Sequence, residues 1–260
     1  MRAFSRIPNN ATGFVGQRPV PGQSNRSTQG TYFDSKGILR VAQPYELRPN
    51  YVYKSGVWVQ QGFLREAQAT NRVPDFSDQG WKFFSGKLDQ NNVDYGHPDI
   101  AGTNKAILYT VGKGSDSRPY YHDYLQMSST GKATFSVFVK LLTPSLTTRI
   151  TIAAAWYYTV GANWNPATQM FNDGGAAGPA FGTFSEPCGG GWWRISACRN
   201  DGFSSFDARG PAFYPQSSPD GDVSFLFCFP QYEDTSAGGS EQRTSYIPNV
   251  SATSLTRAAD

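Results

Sequence analysis

Histidine is nearly missing from this chain, with two in 260 residues, and cysteine is scarce, with three. His97 and His122 lie far apart and no Cys-x-x-Cys pair exists, so the spacing of a structural zinc site is absent. The odd set Cys188, Cys198 and Cys228 does not fit a disulfide-stapled scaffold and points to a reducing compartment, with one disulfide left open. The first residues, Met1 to Pro8, hold no apolar run of signal-peptide length. The longest weakly polar stretch, 150–160, contains Thr151 and Thr159 and is too short to cross a bilayer as a helix, so no membrane insertion is expected. No helix-length amphipathic stretch occurs either.

Charge of one sign is also lacking, since the net is +3, but its distribution is uneven. Residues 1–60 carry a balance of +6 from singly spaced Arg and Lys, and the remainder carries −3. Without a dense basic cluster, nucleic-acid binding is not expected, and a solvated or partner-docking arm is. What the chain has in quantity is aromatic side chains, 15% of residues, beside 27 Gly and 17 Pro. That content excludes disorder, and the length suits one large all-β domain.

Residues 1–30 read as an extended basic anchoring arm. Pro8, Pro19 and Pro21 alternate with small polar residues, while Phe4, Ile7, Phe14 and Val15 are apolar anchors and Arg2, Arg6 and Arg18 supply charge. Residues 31–70 read as a connector of β-hairpins: Thr31–Phe33 with Ile38–Val41, then Tyr51–Tyr53 with Val57–Val59. Residues 71–260 read as the body. In 133–140, Ala133, Phe135, Val137 and Val139 share one face against Thr134, Ser136, Phe138 and Lys140. Residues 148–158 form a second long β-run, and 163–191 read as a long Gly- and Asn-rich loop. In Trp192–Arg199, Trp193, Ile195 and Ala197 share a face, and in 223–229 Val223, Phe225, Phe227 and Phe229 do so. The expected fold is all-β, a jelly-roll (concanavalin-like) sandwich preceded by an extended arm and short ribbons.

Several pieces then occur in a familiar order. Arg26-Ser27-Thr28, Thr31-Tyr32-Phe33-Asp34, Arg48-Pro49, Gly62-Phe63-Leu64 with Glu66, and Thr70-Asn71 open the series. Trp193-Arg194-Ile195-Ser196, Gln231-Tyr232-Glu233, Ser245-Tyr246-Ile247-Pro248 and Thr256-Arg257-Ala258-Ala259-Asp260 close it. This order resembles a tailed-bacteriophage virion family with concanavalin-like or carbohydrate-binding-module-like bodies. The Arg48-Pro49 element is reversed and 161–191 is longer and richer in glycine than that family's pattern. The resemblance implies a non-enzymatic tail-fibre or particle-surface protein, assembled in the host cytoplasm and located in the virion. It implies other phage structural proteins as partners, a homo-oligomer (a trimer by analogy) and a possible host-surface polysaccharide. Alternatives are a capsid decoration or head-fibre protein with no receptor role, and a polysaccharide depolymerase component.

For glycan or subunit contact the candidates are Trp164, Trp192, Tyr157, Asn163 and Asn165. An exposed flat ring beside amides can stack on a sugar's apolar face, though rings are also common at subunit interfaces or in simple packing. Alternation sends Trp192 outward, and Trp164, between two asparagines in the predicted loop, is the best candidate for an exposed ring. No catalytic residue is nominated, because the acidic side chains sit mostly in turn contexts. Calcium is a better metal guess than zinc, with Asp220 and Asp222 as candidates, although Asp220-Gly221-Asp222 lacks a full calcium-loop pattern.

Overall fold

The computed structural model describes residues 24, 26–64, 66, 69–76, 81–83, 93–114, 120–122, 133–143, 148–153, 162–172, 182–199, 211–216, 218–234, 244–249 and 255–258. Among them every regular element is a strand. The first half holds β1 (Gly30–Phe33), β2 (Leu39–Ala42), β3 (Pro49–Lys54), β4 (Val57–Phe63), β5 (Ala69–Asn71), β6 (Trp81–Phe83), β7 (Val93–His97), β8 (Ala106–Val111) and β9 (Tyr120–His122). The second holds β10 (Ala133–Leu141), β11 (Ile150–Ala153), β12 (Ala162–Asn165), β13 (Met170–Asn172), β14 (Thr183–Pro187), β15 (Trp192–Arg199), β16 (Ala212–Pro215), β17 (Val223–Asp234) and β18 (Leu255–Arg257).

Two antiparallel sheets make a sandwich. The larger runs β14-β15-β10-β17-β5-β18, with β8 on the flank of β17 and β7 outside β8. The smaller runs β13-β12-β11-β16-β9-β6, and the hairpins β1–β2 and β3–β4 stand apart as ribbons. The alternation of β10 and β15 places Phe135, Val137, Val139, Ile195 and Ala197 between the sheets, against Ile150, Ile152, Trp164 and Phe213. Burying each of the larger side chains contributes roughly 1.5–3 kcal/mol.

The opposite face of the large sheet is covered too. Thr134, Ser136 and Phe138 are as buried as their inward neighbours, which the one-sided reading of 133–140 did not anticipate. A second cluster lies there, in which Phe138, Trp192, Leu226 and Cys228 of the sheet meet Leu39 of the first ribbon and Tyr246. The ribbons have little core of their own, so they bury their apolar side chains on the sheet.

Two further readings are corrected. The predicted loop 163–191 contains β12, β13 and β14. Trp164 supplies an inward anchor, and Asn163 accepts a hydrogen bond from Thr151 Oγ1 (2.6 Å), so a polar composition still builds a strand. Phe229 does not share the face of Phe225 and Phe227. The β10–β17 register slips between Ser136 and Phe138, leaving one extra residue on β17, and Phe229 takes φ 51°. The bulge turns Phe229 into the second cluster and returns Tyr232 to the first. Of the predicted β-run 148–158, β11 accounts for Ile150–Ala153, and 154–158 lie outside the described residues.

Candidate functional site

One buried polar network fastens the ribbons to the sandwich. Arg48 Nη1 lies 2.8 Å from Glu66 Oε2, and Arg257 Nη2 lies 3.6 Å from the same oxygen. Ser245 donates to Glu66 from both its backbone N–H and its hydroxyl, each at 2.6 Å. Arg48 also donates to Thr31 O at 3.1 Å, which ties in β1. Both guanidinium stems pass Gly30, where a Cβ would stand 3.2 Å from Arg257 Cδ and 3.3 Å from Arg48 Cδ. Burial pushes the Glu66 carboxyl up, but Arg257, Arg48 and the Ser245 donors together outweigh it and hold the group below its ordinary value. Next to this network, Asn71 donates to Pro230 O and Ile247 O and accepts from Val73 N and Tyr232 N, so it pins the bulged part of β17. Arg26 is buried as well, donating to Gln43 O (2.9 Å) and Glu46 O (3.3 Å). Arg26 and Arg48 were counted in the basic N-terminal balance, yet both are interior groups and not a charged surface.

Between the ribbons and the outer face of the large sheet lies a cleft of about 340 Å³. Its floor is Phe138 and Arg194, with Phe184 and Glu186 from β14 beside them. Its walls are Tyr32 and Phe33 of β1 and Asn50 and Tyr51 of β3. Register explains the floor, because Arg194 lies opposite both Phe138 and Glu186. Arg194 is held in place by donation to Ser136 Oγ at 2.9 Å and sits 5.3 Å from the Phe138 ring centroid. The rings of Tyr32, Phe33, Tyr51 and Phe184 are half-buried. Burial, then the Glu46 and Asp34 carboxylates, pushes the Tyr32 phenol up, so it stays protonated and able to donate. Half-exposed rings together with amide, carboxylate and guanidinium groups provide apolar stacking and hydrogen bonding in one place.

Reading the sequence did not nominate these cleft residues. The signal was the concentration of rings in the second hairpin, Tyr51, Tyr53 and Trp58. The described residues among those it did nominate do not line this cleft. Trp164 is 2% exposed, not an exposed ring, because pairing with Ile150 turns it inward to within 5.9 Å of the Trp193 ring centroid. Trp192 does face away from the inter-sheet core, but the ribbon cover leaves it buried in the second cluster. Asn163 and Asn165 are half-buried, and Asn165 Oδ1 accepts from Ala167 N at 2.9 Å to shape its turn. Asp220 and Asp222 are exposed, and Asp222 accepts from Lys113 N at 2.7 Å. Among the described residues no group of three or more His, Cys, Asp or Glu gathers to hold a metal. His97 pairs locally with Asp94 at 2.9 Å. Tyr157 and the arm residues Arg2, Phe4, Arg6, Ile7, Phe14, Val15 and Arg18 lie outside the described residues.

No family model matches the chain, and no curated protein matches it. Among solved structures it is similar to the N-terminal endo-1,4-β-D-xylanase 10B of Clostridium thermocellum, CBM22-1 and GH10 modules complexed with xylohexaose. There the TM-score is 0.36 and the identity 15%, over 71% of this chain and 30% of that one. It is also similar to the CBM22-1 xylan-binding domain from Paenibacillus barcinonensis, with TM-score 0.33 and 11% identity over 66% of this chain and 97% of that one. The tailed-bacteriophage reading is overturned: no family model matches the chain, and these two solved structures come from xylanase and xylan-binding proteins and not from tail fibres. The structure supplies a physical reason for the misreading. Arg48, Glu66, Asn71, Ser245, Tyr246 and Arg257, which carried much of the resemblance, are packing partners around one buried clasp. Their order records how the ribbons are fastened, and it names no assembly.

Proposed function

We propose that this chain is a non-catalytic polysaccharide-binding module, a sandwich of the jelly-roll kind whose binding site is the ribbon-covered cleft. The observation that carries this reading is the convergence of the half-buried Tyr32, Tyr51 and Phe184 rings with Asn50, Glu186 and Arg194 in one cleft. A sugar ring stacks its apolar face on an aromatic plane while its hydroxyls exchange hydrogen bonds with the polar rim. The Glu66 carboxylate of the cleft supports binding over hydrolysis. Glycoside cleavage needs a protonated carboxyl as general acid. Arg257, Arg48 and the Ser245 donors hold Glu66 below its ordinary value, in the ionised form. Of the readings the sequence offered, the polysaccharide-directed one is kept, without the depolymerase activity.

Affinity electrophoresis of the full chain through gels containing xylan, mixed-linkage glucan, galactan or alginate tests the reading. Retardation by at least one polymer is expected, with Tyr51→Ala losing most of it at an unchanged circular dichroism spectrum. Normal migration in every gel would refute it.

A further inference from the structure

A second cleft, of about 480 Å³, opens on the same sheet face. Phe138 and Arg194 line the first cleft, while the next outward pair along β10 and β15, Lys140 and Trp192, lines the second. Phe33 of the first and Trp58 of the second stand side by side, with ring centroids 4.8 Å apart, so the two clefts adjoin across one aromatic ridge.

Trp58 is a fixed platform. A Cβ on Gly37 would fall 2.1 Å from its Nε1 and one on Gly189 3.1 Å, and both glycines have positive φ, 77° and 72°. Tyr53 supports the ring with its own centroid 5.4 Å away.

The charge of this cleft differs from that of its neighbour. Lys36 and Lys140 both line it, and among the described residues neither ammonium is ion-paired. The Lys140 stem lies along Gly191, where a Cβ would be 3.4 Å from its Cε. Asp99 is also in the lining, but its carboxylate accepts from Ala101 N, Thr103 N, Thr103 Oγ1 and Lys105 N and is committed to its own turn. The formal balance of two lysines and one aspartate is positive.

We infer that the second cleft is a subsite for an acidic sugar, with a uronate carboxylate between Lys36 and Lys140 and the sugar ring on Trp58. The inference rests on the polysaccharide reading and makes that ligand an acidic polymer spanning both clefts. An exposed ion pair contributes at most about a five-fold factor; at about three-fold each, the two together multiply to a preference of about ten-fold.

Calorimetry with glucuronoxylan, polygalacturonate and alginate, each beside its carboxyl-reduced form, tests this at low and at physiological salt. The wild type is expected to bind at least one acidic form about ten-fold tighter than its reduced counterpart. In the Lys36→Gln/Lys140→Gln variant that ratio should fall to about one, and added salt should lower the wild-type ratio. A wild-type ratio of one, a ratio unchanged in the variant, or binding of neutral polymers alone would overturn the subsite and leave the polysaccharide reading standing. Absence of binding to any polymer, neutral or acidic, would overturn both.

Discussion

Replacing Glu66 by glutamine keeps the shape of the side chain and one acceptor oxygen for Ser245 in place of two, and removes the charge that Arg48 and Arg257 share. The side chains of both arginines are 0% exposed and that of Glu66 is 17% exposed. Depriving buried cations of their counter-charge costs about 3–5 kcal/mol. The 3.6 Å arm to Arg257 is weaker than the 2.8 Å arm to Arg48, which places the loss near the lower end, at about 3 kcal/mol. For a chain of this size each kcal/mol moves the midpoint by about 2–4 °C, so Glu66→Gln should melt about 6–12 °C below the wild type at pH 7. The pH dependence has a fixed sign. The native carboxyl titrates below its ordinary value, so its contribution is complete above the unfolded carboxylate value and disappears as pH falls through the native one. Melting both proteins by circular dichroism at pH 7, 5 and 3 should show a gap that narrows only in acid. A gap under about 2 °C at pH 7, or one that widens on acidification, would refute this account of the clasp.

Gly37→Ala places a methyl 2.1 Å from Trp58 Nε1 at a backbone φ of 77°, so it should cost about 1–3 kcal/mol and red-shift tryptophan emission; an unchanged midpoint and spectrum would contradict the fixed platform. Cys188, Cys198 and Cys228 are buried thiols outside any disulfide, and burial pushes the Cys228 thiol well up. Ellman's reagent should therefore label the native chain slowly and the denatured chain at three sites, and rapid native labelling of Cys228 would count against the second cluster.

Local alternation was legible where both neighbours of a strand obey the same period. It placed Phe135, Val137, Val139, Ile195 and Ala197 in the core and turned Trp193 and Trp192 to opposite faces. Whether an outward residue meets water is a different question, because it depends on what folds over the sheet. Trp192 and Phe138 are covered by segments as remote as Leu39 and Tyr246, and no window along the chain contains both partners. Trp164 went astray for a related reason: Asn, Gly and Pro around it imitate a loop, while pairing with β11 overrides that preference. The Phe229 bulge inserts one residue into an otherwise regular pattern, and strict period-2 counting carries every later side chain to the wrong face. The cleft needed rings from β1, β3 and β14 to converge, a consequence of ribbon docking and not of any one motif.

The closing hydrogen bond from Ala258 N to Thr28 Oγ1, at 2.8 Å, brings positions 230 residues apart to the same pole of the molecule. Tension applied between Thr28 and Ala258 would therefore load the Arg48–Glu66–Arg257 fastening before it reached the β10–β17 ladder. By the same geometry, a short bridge between residues 28 and 258 would make the fold a candidate for circular permutation, with new ends cut at an exposed turn such as Ser55-Gly56.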